Sequence, residues 1–197
     1  MNACSVAHSL VICLAAPACG SSLLHSMKPR IDLRSPAAAD EPAFLQSVRQ
    51  SKPLHRPWVS PPSTPDAFGQ YLDAMALPAN QGYLVCLRAT DEMVGVINIT
   101  NIVRGCFQSA YLGYYAFAGH ERQGLMREGL QAVVKQAFGV LKLHRLEANI
   151  QPANQASLAL VEACGFRKEG FSAHYLKIGG RWRDHERWAV NATAARC

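Results

Sequence analysis

The residues best suited to chemistry begin at Gly113. The run Gly113-Tyr114-Tyr115-Ala116-Phe117 reads as a strand. It leads through Ala118-Gly119-His120-Glu121-Arg122-Gln123 to Gly124-Leu125-Met126, where a helical pattern starts. The start of a helix leaves backbone N–H groups without partners and carries a partial positive charge. An anion bound there gains several hydrogen bonds with little reorganisation. Gly124 has no Cβ, so a phosphate can approach its backbone. A diphosphate is the natural guest, although a plain strand-to-helix turn fits the same residues. Side chains suited to proton transfer lie further on. Glu147 sits on a short strand, on the same face as Asn149 by strand alternation. His174, Asp184 and His185 fall in the closing hairpin pattern, and an unperturbed imidazole suits proton uptake near neutral pH. Each of these also has an ordinary structural reading.

The elements that must position these residues follow from periodicity. Arg30 to Arg34 alternates as a half-buried strand does, and Ser35-Pro36 offers an N-cap and a first-turn proline. A helix is expected next, with Phe44, Leu45 and Val48 on one face. Lys52 to Pro65 is proline-rich, contains Trp58 and reads as a loop. Thr64-Pro65 opens a second helix through Phe68, Tyr71, Leu72 and Met75. Three strands follow, over Tyr83–Ala89, Met93–Val103 and Phe107–Phe117, as an antiparallel meander. From Gly124 to Leu141 the apolar period is helical. Arg145–Ile150 is a strand, and Asn154 starts a helix that stops at Gly165. Lys168–Ile178 and Arg181–Val190 form a hairpin around Gly179-Gly180.

Composition limits the function classes. The chain has 197 residues and is 49% hydrophobic, which suits one domain with a substantial core. A formal charge of +6 is compatible with an anionic ligand or with the ribosome. No run of clustered Lys and Arg with interleaved aromatics marks nucleic-acid binding. The cysteines number seven, with no C-x-x-C pair, which points to a reduced cytoplasmic protein without a metal site. Residues 1–26 contain no Lys, Arg, Asp or Glu, and their apolar run is too short to span a bilayer. They are read as a leader or non-native extension, residues 27–192 as the folded domain, and 193–197 as a tail.

The ordered set of motifs resembles the GNAT superfamily of N-acetyltransferases, and more closely the RimJ/RimL type that acetylates the N-terminal alanine of ribosomal proteins. The set comprises Gly113-Tyr114, Gly124-Leu125-Met126, Glu128, and His144-Arg145-Leu146-Glu147-Ala148-Asn149. It continues with Pro152, Asn154-Gln155-Ala156-Ser157, Gly165-Phe166, Glu169-Gly170, and Gly180-Arg181-Trp182-Arg183-Asp184-His185. The resemblance implies an α/β (α+β) GNAT fold, with a mixed central sheet of about seven strands and helices on both faces. It implies acetyl-CoA as acetyl donor, wedged where the sheet splays. The main chain near Ala116 and Phe117 would pair with the pantetheine arm. The N–H groups of Arg122, Gln123, Gly124, Leu125 and Met126 would hold the pyrophosphate. Asn154 would contact the pantetheine end and Ser157 would lie near the thiol. The chain departs from the family at Glu121, at Val161 in place of an acidic Tyr, and at Asn149 in place of a Glu base.

Acetyl transfer to an amine needs a neutral nucleophile, a polarised carbonyl and a proton for the leaving thiolate. Ser157 is the expected proton source, and Glu147 and Asp184 are the candidate bases. Trp58, His174 and His185 are expected around the acceptor. The acceptor is expected to be the N-terminal amine of a protein, a ribosomal protein above all. A small amine, or a module that binds acetyl-CoA without turnover, are the alternatives. No metal and no membrane contact are expected, and the chain reads as a monomer or homodimer.

Overall fold

The computed structural model describes residues 29–192; the expected leader over residues 1–26 and tail over residues 193–197 lie outside them. The chain opens with β1 (Ile31–Arg34), α1 (Glu41–Gln50), α2 (Lys52–His55) and α3 (Pro65–Met75). Then come β2 (Gln81–Leu87), β3 (Met93–Val103), β4 (Ser109–Ala116) and α4 (Leu125–Gly139). It closes with β5 (Arg145–Ile150), α5 (Gln155–Ala163), β6 (Arg167–Ile178) and β7 (Arg181–Asn191). The seven strands make one mixed sheet in the order β1-β2-β3-β4-β5-β7-β6. Among the described residues, only β4 and β5 run parallel.

Alternating strand residues build two apolar layers. On one face, Val85, Ile97, Leu112, Leu146 and Ala148 pack under α4 and α5 through Leu130, Val133 and Val161. On the other, Leu84, Val96, Tyr115 and Phe117 pack under α1 and α3 through Phe44, Val48 and Phe68. Helices therefore cover both faces, as expected. α3 starts where Thr64 accepts a hydrogen bond from the Ala67 N–H at 3.2 Å, and α5 where Asn154 accepts from the Ser157 N–H at 3.2 Å.

Several boundaries differ from expectation. The first long helix does not start at Ser35-Pro36. A single 3-10 turn at Ala38–Asp40 comes first, and Pro42 is the proline in the first turn of α1. The proline-rich loop contains α2, because Pro53 sits in a first turn, where its missing N–H costs nothing. Phe107 lies outside β4 and is exposed. Of the two hairpin tryptophans, Trp188 packs against the core, whereas Trp182 faces solvent.

One register detail creates the site. β4 pairs with β3 as far as Ala116, opposite Gly95. It pairs with β5 only over Ser109–Leu112, opposite Arg145–Ala148. From Gly113 onward the edge of β4 that faces β5 has no strand beside it, while β5 continues along β7 to Ile150. The sheet is therefore split between the ends of β4 and β5.

Candidate active site at the split

The strand that forms one lip of the split runs directly into the helix mouth. Gly124 is the N-cap of α4, at φ 76°, and Arg122 before it is at φ 59°. Left-handed backbone at both positions turns successive N–H groups to one side. Among the described residues, nothing accepts from the N–H of Arg122, Gln123, Gly124, Leu125 or Met126. The loop is held from outside by Arg30, a residue that sequence reading did not single out. Its guanidinium donates to the Gln123 carbonyl at 2.8 Å and pairs with Glu128 in the first turn of α4. Glu121, one of the positions where the chain departs from the family, folds back and accepts from the Gly119 N–H at 2.9 Å. A positive helix end with unpaired amides and flanking arginines can bind a diphosphate.

The end of β4 is pinned by the junction of α1 and α2. The Ser51 hydroxyl accepts from the Ala118 N–H at 2.9 Å, and His55 Nε2 donates to the Ala116 carbonyl at 2.8 Å. Both side chains are buried, and burial pushes the His55 imidazole below its ordinary value. These residues are four apart, one turn of helix, but no sequence signal connects them to a strand some sixty residues later. Of the two main-chain positions expected to meet the pantetheine arm, Ala116 faces the split. Phe117 does not: its N–H donates to Val94 on β3 at 2.7 Å and its ring is in the core. Strand alternation accounts for the difference, since neighbouring residues point their amides to opposite edges.

The other lip is the start of α5. Ser157 is half-buried in its first turn, with its N–H bonded to the Asn154 side chain. Asn154 thus caps the helix with its oxygen and keeps its amide N–H groups for another partner. Tyr114 crosses from β4, and its hydroxyl donates to the Ser157 carbonyl at 3.1 Å. Glu147 lies on the opposite face of the sheet. Arg145 binds it at 2.9 Å and Glu169 at 2.6 Å, so one guanidinium is shared by two carboxylates and the cluster keeps a net negative charge.

The remaining expected residues gather near the loop between β5 and α5. Gln151 in that loop donates to the Trp58 carbonyl at 3.3 Å. A cavity of about 330 Å³ lies between this loop and the hairpin, with His174 and Asp184 on its wall. Asp184 is engaged there: it accepts from the His174 N–H at 2.8 Å, holding a bulge in β6 where His174 takes φ 47°. His185 differs from the expected substrate contact. It is only 3% exposed and its ring bonds the Arg183 carbonyl of its own strand at 2.9 Å.

The acetyltransferase (GNAT) domain profile matches residues 30–167. The chain belongs to the GNAT acetyltransferase family. Bacillus subtilis YjcK, described as a probable N-acetyltransferase, is 40% identical to this GNAT domain over 100 residues, 51% of this chain and 55% of the relative. The ribosomal protein uS5-alanine N-acetyltransferase of Escherichia coli K12 is 43% identical over 94 residues, 48% of each chain. The chain therefore spans about half the length of the curated relatives it matches. Mycobacterium smegmatis RimJ in complex with CoA-disulfide shares the fold at a TM-score of 0.77 and 26% identity, over 84% of this chain and 86% of that one. Among the described residues, no helix is long and apolar enough to cross a membrane, and no cluster of His, Cys, Asp or Glu could hold a metal ion.

Proposed function

We propose that this chain transfers an acetyl group from acetyl-CoA to a primary amine, the α-amine at the N-terminus of a protein, with a ribosomal protein as the favoured target. The observation that carries this reading is the run of unpaired N–H groups from Arg122 to Met126, opening beside the split between β4 and β5. The likeness to a uS5-alanine N-acetyltransferase supports a protein acceptor. The cytoplasm is the natural compartment for such a target.

Acetyl-CoA, when bound, supplies the acetyl group as a thioester. The amides of Arg122 to Met126 hold the diphosphate, and Arg30 braces the loop that presents them. Ala116 on one lip and the Asn154 amide on the other would bond the pantetheine arm. The Ser157 hydroxyl holds a proton for the departing thiolate. Glu147, on the opposite face, offers negative charge on the acceptor side of the sheet. Positioning of two reactants across a split supplies much of the rate in such a site, which makes a dedicated strong base unnecessary. Asp184 has the smaller part, because it is bonded to the hairpin backbone.

The test is mass spectrometry with acetyl-CoA and a panel of Ala- and Ser-starting peptides, spermidine and free amino acids, alongside calorimetry with CoA. Acetylation of the peptides is the expected result. Acetylation of spermidine alone would move the assignment to a small amine. CoA binding without turnover of any amine would leave a binding module, and no CoA binding at all would end the reading. Gel filtration distinguishes monomer from homodimer.

A further inference from the structure

We infer that a row of arginines on β7 holds the stretch of the acceptor that follows its amine, and that this stretch is an acidic peptide; this rests on the acetyl-transfer reading above. The closing strand reads Arg181-Trp182-Arg183-Asp184-His185-Glu186-Arg187. Every second position is basic, so these four side chains fall on one face of the strand. That face is the one turned away from α4 and α5, because Trp188 and Val190, of the other parity, pack in the layer under those helices. His185 is buried in the row, so the arginines present its charge.

No helix covers the row. The α1 and α3 layer packs on β2, β3 and β4, and among the described residues none from β5, β6 or β7 belongs to it. Arg181 and Arg187 are exposed, and Arg183 is half-buried on the wall of the cavity of about 330 Å³ beside the loop between β5 and α5. Arg187 lies across β6, where a Cβ on Gly170 would meet its guanidinium at 2.5 Å. Among the described residues, none of the three forms an ion pair. The acids of the same strand are engaged on its other face, Glu186 with Lys168 and Asp184 with the His174 N–H. The charge of Arg187 also helps to lower Glu169, so the free charge of the row rests mainly on Arg181 and Arg183.

The row begins at the split and leads away from it. Arg187 is opposite Asn149, just past the last pair between β4 and β5, and Arg181 is at the hairpin turn, roughly 20 Å further along. The near end holds the Arg145, Glu147 and Glu169 cluster, which keeps a net negative charge, and the far end is positive. A peptide with its amine at the split and carboxylates further along has the matching polarity. Same-face side chains of an extended peptide recur about every 6.5–7 Å, the spacing of Arg181 and Arg183 on their strand. Each guanidinium can donate two parallel N–H bonds to one carboxylate. A polyamine meets like charge at the far end. Single-stranded RNA needs rings beside the cations for its bases, and the exposed ring of β7, Trp182, falls on the other face.

The measurement is calorimetry of CoA-loaded protein with three Ala-starting hexapeptides that carry Glu, Gln or Lys at alternate positions, at about 50 mM and about 500 mM salt. Acetylation of each peptide is followed in parallel. At low salt the Glu peptide is expected to bind about tenfold more tightly than the Gln peptide, and the Lys peptide more weakly than either. The spread is expected to shrink at high salt. Arg181→Gln combined with Arg183→Gln is expected to abolish the preference with CoA affinity unchanged, which also reports that the variant is folded. Arg181→Lys combined with Arg183→Lys is expected to retain most of it. Equal binding of the Glu and Gln peptides by the wild type would overturn the inference, as would a preference that survives in the double Gln variant. A short oligouridylate bound more tightly than the Glu peptide would overturn it too and make the row an RNA site. A charge preference in binding without acetylation of any peptide would instead sink the acetyl-transfer reading and leave this one standing. Acetylation blind to peptide charge would do the reverse.

Discussion

The Tyr114 hydroxyl donates to the Ser157 carbonyl at 3.1 Å, so one side chain joins the strand on one lip of the split to the helix on the other. The phenol is deeply buried, and burial raises it well above its ordinary value. It therefore remains a donor throughout the working pH range. Tyr114→Phe removes the bond, at a cost of about 1 kcal/mol. The expected outcome is a Tm lower by a few degrees and a several-fold fall in kcat, because Ser157 is no longer held at a fixed height. Thermal melts and steady-state kinetics check both. An unchanged kcat would show that the start of α5 needs no anchor to β4.

Gly124 sits at φ 76°, where a side chain is strained. Gly124→Ala should cost about 1–2 kcal/mol and tilt the amides of the helix mouth. CoA affinity measured by calorimetry is expected to fall at least tenfold. Arg30→Ala, which removes the guanidinium bonds to the Gln123 carbonyl and to Glu128 but keeps the main-chain N–H on Glu128, is expected to weaken CoA by a smaller factor of about three to ten.

The pH response should report His55. Burial lowers its imidazole, and so does burial at His185. For a group lowered in the fold, the unfolded chain binds more protons at pH just below the ordinary value of about 6.5. Stability contributed by these histidines is complete above about 6.5 and is lost as the pH falls from there toward the lowered folded value. Melting the wild type from pH 8 to pH 5 should show this decline, and His55→Gln should flatten part of it while lowering Tm at pH 8. A wild-type curve that is level across that window would refute the assignment.

Asp184 and Glu147 should separate in mutagenesis. Asp184→Ala removes the acceptor for the His174 N–H and should lower Tm with kcat within about twofold, a loss near the usual worth of one hydrogen bond. Glu147→Gln should lower kcat or raise the peptide KM while melting close to wild type. A hundredfold loss of kcat in Asp184→Ala would return the hairpin carboxylate to the chemistry.

The sheet, the helix that starts at Gly124 and the cap at Asn154 were legible because each rests on local signals: alternation, helical period, or a capping side chain next to its target. α2 was not, since Lys52 to His55 is one turn long and its prolines resemble those of a loop. Ser51, His55, Tyr114 and Arg30 were missed for a different reason. Their partners Ala118, Ala116, Ser157 and Gln123 lie 43 to 93 residues away, and only the fold brings them together. His185 and Asp184 stood out as titratable residues in a motif, and a motif carries no signal of the partners that the fold gives them, the Arg183 carbonyl and the His174 N–H.

The parallel ladder between β4 and β5 covers only Ser109 to Leu112, yet it is where the first four strands meet the last three. Two half-sheets joined along so short a seam can flex like covers about a spine. A guest lodged in the opening would act as a missing length of strand, stiffening the joint itself. Amides flanking the seam, and not those of the outer strands, are then the ones whose hydrogen exchange should slow when CoA is added.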